Sequence, residues 1–250
     1  MPRRRRARFV ALVHLLARVR PDVEPSAVTD GRVFVDGRVV ANPRALVRAD
    51  ASVRVQEPRR LCGARKLADA LDAFDLVVAG RVALDAGANA GGFTTVLLER
   101  GARRVYAVEV GVGQLRGVLR VDERVVNLER TNFAALDHET VPDTIDVVTI
   151  DIGHLALAEA VRQLAGCRIA PDADLVALVK PTFELRRGTL AASDEDIEHG
   201  VRLASRAIAA AGWTVIGKCD APRTGRRRAR EVFVRARRSP SADPSSPTAS

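Results

Sequence analysis

The 250-residue chain has almost no lysine. Of its 40 basic residues only Lys66, Lys180 and Lys218 are lysine; the rest are arginine. Arginine keeps its proton in any protein setting, whereas burial or a neighbouring cation lowers the pKa of a lysine. Cysteine is scarce too. Cys62, Cys167 and Cys219 are odd in number and far apart, which excludes a disulfide framework and a zinc spacing. Reduced thiols in a cytoplasmic compartment are expected. No cluster of His, Cys and carboxylates has metal-ligand spacing, so no metal is expected. Aromatic residues make up 4%, too few for base stacking to dominate recognition of a nucleic acid. No apolar run approaches the roughly 20 residues that span a bilayer. The short segment Phe9 to Ala17 contains His14, is soon followed by Arg18 and Arg20, and lacks a small-residue cleavage site. It does not read as a secretory leader, and no membrane partner is expected.

What is present suits one large domain with a small appendage. Hydrophobic residues make up 47%, enough for a substantial core, and the net charge of +9 points to a polyanionic partner. Residues 1–57 read as a small α+β unit. Val10 to Val19 has a helical pattern. Arg32 to Val35 and Arg38 to Val40 flank Asp36-Gly37, a hairpin turn signal, and Val53 to Gln56 reads as another strand. Residues 58–63 read as a linker. Residues 64–238 alternate: strand patterns at 81–85, 104–110, 124–128, 145–151, 174–180, 213–218 and 231–236, with helical patterns at 66–74, 92–100, 113–120, 155–165 and 194–211. Such alternation gives an α/β fold with a parallel sheet covered on both faces. Residues 239–250, rich in Ser, Pro and Ala, read as a disordered tail.

The most informative stretch is Val82 to Thr95, VALDAGANAGGFTT. An apolar run ends in Asp85; Gly87, Gly91 and Gly92 follow, and a helical segment starts near Phe93. A buried strand, a glycine turn and a helix start let a ligand approach bare backbone at the carboxyl edge of a parallel sheet. Glu109 closes the next strand, 24 residues after Asp85, where an acid accepts hydrogen bonds from ribose hydroxyls. A nucleoside-bearing cofactor is the first expectation; a turn that only packs helix on strand is the alternative. The spacing Gly-x-x-x-Gly-Gly differs from the dinucleotide pattern Gly-x-Gly-x-x-Gly. Two further strand ends carry chemistry: Asp151 closes 145–151, and Lys180, followed by Pro181, closes 174–180. Neighbouring strand ends would let them face each other across the crevice, as a functional pair or as a structural ion pair.

Four ordered segments carry a family resemblance: LDAGANAGGFTTVLLERG (Leu84 to Gly101), VYAVEVGVGQL (Val105 to Leu115), LERTN (Leu128 to Asn132) and LVKPTFE (Leu178 to Glu184). Over Leu61 to Arg238 the chain resembles the TlyA family. These are bacterial ribosomal-RNA 2′-O-methyltransferases related to the FtsJ/RrmJ enzymes and often labelled hemolysins. The resemblance implies a Rossmann-like, seven-stranded S-adenosylmethionine-dependent methyltransferase domain with the last strand antiparallel. It implies a catalytic tetrad falling on Lys66, Asp151, Lys180 and Glu231, so that two of the three lysines are accounted for. It implies a donor site at Asp85, Gly87, Asn89, Gly91, Gly92, Phe93, Glu109 and Asn132, and ribosomal RNA or ribosomal subunits as partner. Gly31 to Val55 resembles, more weakly, the RNA-binding fold of ribosomal protein S-four type, with Arg20 to Asp30, carrying Pro21 and Pro25, in place of that fold's second helix. Arg3, Arg4, Arg5, Arg6 and Arg226, Arg227, Arg228 are candidate phosphate contacts.

The chain departs from the family in Gly153-His154, where a Ser-Phe pair is common, and in Ala88-Asn89-Ala90, where Ser or Thr is usual. Those departures keep a second reading open, a non-catalytic RNA-binding or ribosome-assembly factor on a methyltransferase scaffold. A membrane-damaging protein, as the hemolysin label suggests, has the least support in the sequence.

Overall fold

The computed structural model describes residues 8–56, 61–153, 155–185, 193–222 and 230–239. Of the expected linker 58–63, residues 58–60 lie outside them, whereas Cys62 and Gly63 already belong to a helix; tail residues 240–250 also lie outside them. The chain divides into two compact units, Met1–Arg59 and Arg60–Ser250.

In the first unit β1 (Phe9–Ala11) runs into α1 (Leu12–Val19). A short α2 (Ser26–Thr29), β2 (Val33–Val35), β3 (Arg38–Val39), β4 (Leu46–Arg48) and β5 (Val53–Val55) follow. The expected hairpin is present. β2 pairs antiparallel with β3, Val35 opposite Arg38. Asp36 and Gly37 take φ of 47° and 80°, the two positive values of a tight turn that follows the strand twist. The helix expected from Val10 starts at Leu12 because Phe9–Ala11 is drawn into a ladder with β4. Residues 20–30 retain one helical turn, with Pro25 at its N-cap, where a missing N–H costs nothing. Leu12, Leu15 and Leu16 close on Ala27, Val28 and Val33 as a small core.

The second unit opens with α3 (Cys62–Ala73), β6 (Val82–Ala86), α4 (Gly92–Glu99), β7 (Arg104–Glu109), α5 (Gly117–Arg120), β8 (Val125–Glu129) and β9 (Ile145–Ile150). It continues with α6 (Leu157–Arg162), β10 (Ile169–Val179), α7 (Pro181–Glu184), α8 (Asp194–Ala210), β11 (Trp213–Asp220) and β12 (Val232–Arg238). The seven strands lie in the order β11-β12-β10-β9-β6-β7-β8. β6 is parallel to β7 and β9, and β9 to β10; β12 is antiparallel to both β10 and β11. The last strand therefore reverses, as the family resemblance implies.

Every residue of Val82–Ala86 is buried, as expected of a strand covered on both faces. Leu67, Leu71, Phe93, Val96 and Leu97 fill one face of the sheet; Leu157, Val161, Ile197, Val201 and Ile208 fill the other. β10 starts at Ile169, earlier than the pattern suggested, with a register shift before Asp174. Asp174, 2% exposed, binds Arg81 at 2.9 Å and Arg235 at 2.8 Å. Arg235 also donates to the Phe74 carbonyl, and Arg81 to the Asp146 carbonyl. This charged knot ties β10, β12 and the entry to β6. α8 is closed by a capping box, with Ser193 and Asp196 each accepting from the other's backbone N–H.

Candidate active site

The strand order brings the carboxyl ends of β6, β7, β9 and β10 to one edge, and the sequence-derived candidates collect there. The loop after β6 is shaped by its glycines. Gly87 and Gly91 take φ of 87° and 90°, and a Cβ on Gly87 would stand 2.7 Å from the Asp151 carbonyl oxygen. A Cβ on Gly92 would stand 2.9 Å from the Ala64 nitrogen, so its bareness lets α4 approach α3. No side chain caps α4, and the first N–H groups of a helix seek acceptors.

The four tetrad positions form two ion pairs. Lys180 Nζ lies 2.6 Å from Asp151 Oδ1. Lys66, 5% exposed, binds the Glu231 carboxylate. Lys66 reaches the site from the second turn of α3; Glu231 stands just before β12. Two clefts meet at Asp151. One, about 200 Å³, is walled by Gly87, Asn89, Glu109, Gln114, Thr131 and Ile152 together with Asp151. The other, about 310 Å³, is walled by Cys62, Lys66, Gly87, Asn89, Phe93 and Asp151. The two pairs thus share one cavity system: Lys66 and Asp151 line the same cleft, each backed by its partner.

Glu109 accepts from the Asn89 N–H at 3.0 Å and the Gly111 N–H at 2.8 Å. It pins the glycine loop while facing the smaller cleft.

One candidate, Asp85, stands elsewhere than direct contact with a ligand requires, and a second, Asn132, has its side-chain oxygen engaged by its own backbone. Asp85 is fully buried; its carboxylate accepts from Thr94 Oγ1 at 2.7 Å and Thr149 Oγ1 at 3.0 Å. Its place is beneath the loop, since the strand turns this side chain into the core. Burial pushes its carboxyl up to about 6, against the pull of the two hydroxyls. Asn132 spends its side-chain oxygen on the Ala134 N–H, capping a single helical turn; its neighbours Thr131 and Phe133 line the cleft instead.

Glu129 was missed by the sequence reading, although it is an acid at a strand end inside LERTN. It accepts from the Gln114 and Leu115 N–H groups and from Arg120. Partial burial pushes its carboxyl up, but the Leu115 N–H, Asn127 and the Gln114 and Gly113 N–H groups together hold it down, to about 2. It fixes the segment that carries Gln114 into the cleft. Arg3 to Arg6, Arg226 to Arg228 and His154 lie outside the described residues.

A reversed seventh strand, a glycine turn after the first and an acid at the end of the second define the Rossmann-like, S-adenosylmethionine-dependent methyltransferase fold. An S-adenosylmethionine-dependent methyltransferase of Mesorhizobium loti shares that fold. The two are 16% identical with a TM-score of 0.51, over 68% of this chain and 96% of that one. The chain belongs to the FtsJ-like methyltransferase family, whose pattern matches residues 60–237. It is 44% identical over 170 residues to the 16S/23S rRNA (cytidine-2′-O)-methyltransferase TlyA of Mycobacterium tuberculosis. That match covers 65% of this chain and 62% of the relative. It also resembles the solved hemolysin-named protein of Streptococcus thermophilus, at 26% identity and a TM-score of 0.68 over 92% of this chain and 89% of that one.

Proposed function

We propose that the protein transfers a methyl group from S-adenosylmethionine to a ribose 2′-hydroxyl of ribosomal RNA, in the cytoplasm. The convergence of the Asp151–Lys180 and Lys66–Glu231 pairs on one cavity system carries this reading. The smaller cleft fits the donor. Its bare glycine loop, an uncapped helix start and the Glu109 carboxylate suit a methionine moiety and a ribose diol. Gly87, Asn89 and Glu109 would hold it, with Asp85 and Phe93 as the loop's support. When bound, S-adenosylmethionine supplies an electrophilic methyl group.

The chain's own residues handle the acceptor. A protonated 2′-hydroxyl is a poor nucleophile. Lys180, held in place by Asp151, stabilises the oxygen's developing negative charge while the hydroxyl proton leaves to water, or, when neutral, takes that proton itself. Lys66, oriented by Glu231, adds positive potential in the neighbouring cleft, where a phosphate or hydroxyl of RNA would rest. Much of the rate comes from alignment of the two reactants. The arginines of the N-terminal unit and those at 226–228 would neutralise phosphates without reading bases. The 44% identity to a protein named for this chemistry supports the substrate class.

The test is to incubate the protein with isotope-labelled donor and undermethylated ribosomal subunits and to map the product. Label on a ribose 2′-oxygen is expected. Tight donor binding with no transfer to either subunit would favour the non-catalytic scaffold reading, and no donor binding would remove the enzyme reading.

A further inference from the structure

The Lys180 side chain grips one end of a loop whose other end is held from the same helical turn. Of the described residues between β9 and α6, Ile152 and Gly153 wall the smaller cleft. At the start of the loop Asp151 is fixed by Lys180 Nζ and by its own N–H on the Ala86 carbonyl, at 3.0 Å. At its end α6 begins without a cap of its own, because Ala156 at the N-cap has no side-chain acceptor. The missing acceptor comes from Glu184, 27 residues on, whose Oε1 takes the Leu157 N–H at 2.9 Å. Glu184 and Lys180 belong to one turn: the Glu184 N–H donates to the Lys180 carbonyl at 3.2 Å, and the Phe183 N–H to the same oxygen at 2.9 Å. Pro181 opens this turn with its fixed φ. Gly153, two residues beyond Asp151, comes close to the lysine: a Cβ there would stand 3.6 Å from Lys180 Nζ.

We infer that Glu184 is a positioning residue for methyl transfer: through the Leu157 N–H it fixes the start of α6, and with it the placement of Ile152 and Gly153 beside Asp151 and Lys180. This rests on the proposed methyltransferase reading. Glu184 lines neither cleft that meets at Asp151, so it acts through its neighbours. Burial pushes its carboxyl up, in keeping with an acceptor role that a neutral oxygen could also fill. KPTFE thus supplies both a catalytic group and the clamp that aims it. Lys180 stands at the N-cap of the turn and Glu184 at its end, so the two grips come from the two ends of one short helix.

Two variants decide it, Glu184→Ala, which removes the acceptor, and Glu184→Gln, which keeps an acceptor oxygen without the charge. Two readouts are taken on the full chain: amide hydrogen exchange over residues 152–157, and single-turnover methyl transfer at saturating donor. Glu184→Ala is expected to lose protection at Leu157 and to transfer on the order of tenfold more slowly. Glu184→Gln is expected to retain both within about twofold, by keeping the same hydrogen bond. Unchanged protection in Glu184→Ala would overturn the inference. So would lost protection with a wild-type transfer rate, which would leave a helix cap and nothing more. A Glu184→Gln variant as slow as the alanine would overturn it too. If the wild-type protein transfers no methyl group while the exchange pattern is as expected, the methyltransferase reading fails and the clamp on the loop stands.

Discussion

Replacing Asp85 by asparagine changes the pH dependence of folding by a calculable amount. Asp85 is fully buried, and its carboxyl is pushed from 3.8 to about 6, first by desolvation, against the Thr94 and Thr149 hydroxyls, with Asp151 adding to the rise. Two units correspond to about 3 kcal/mol. The sign follows from which state ionises first. Below about pH 3 the group is protonated in both states and there is no penalty. As pH rises the unfolded chain releases this proton before the folded one does. Stability is therefore lost between about pH 4 and pH 6, and the loss is complete above that window. Asparagine has no proton to lose. Its amide oxygen accepts from one threonine, and its NH₂ donates to the other, since a hydroxyl serves either role. The stability of Asp85→Asn minus that of the wild type should therefore climb by about 3 kcal/mol from about pH 3 to about pH 7.5. Carboxyls held low by neighbours, such as Asp122 and Asp137, pull the other way, but they are present in both proteins and cancel. Urea unfolding followed by the fluorescence of Trp213, the single tryptophan, gives both curves by linear extrapolation. A difference that stays flat with pH would refute the reasoning.

Two other perturbations separate the loop from the frame. Gly87→Ala places a Cβ against the Asp151 carbonyl at a backbone angle that L residues avoid; a loss of about 1–3 kcal/mol is expected, with donor affinity by calorimetry falling alongside it. Asp174→Ala leaves Arg235 partly buried without its carboxylate. It should cost roughly 3–5 kcal/mol in denaturant unfolding while leaving donor affinity within about twofold, because the knot lies at the far end of the strands from the clefts.

The strands were legible because burial on both faces writes near-continuous apolar runs: Val82–Ala86 and Ile145–Ile150 fall within one residue of the expected 81–85 and 145–151. The Asp36-Gly37 hairpin was legible for a local reason, since few residue pairs accept two positive φ values. What escaped depends on distant partners. The β1–β4 ladder joins Phe9 to Arg48, and neither three-residue strand signals itself. Asp85 reads as a ligand contact until the threonines on α4 and β9 are seen to enclose it. Asn132 reads as a donor-site residue, and its side-chain oxygen is found capping its own turn. Glu184 carried no signal of its role, because the helix it caps starts 27 residues earlier. The tetrad was visible only through family resemblance. Spacing alone placed Asp151 beside Lys180, whereas the Lys66–Glu231 pair spans 165 residues.

Single-turnover transfer set beside donor affinity, in Lys180→Ala and Asp151→Ala, goes to the centre of the account. Transfer to the 2′-oxygen should fall by a factor of at least about 10² in both, with the donor dissociation constant within a few-fold of wild type. Transfer at the wild-type rate in either variant would contradict a site in which that ion pair activates the sugar hydroxyl.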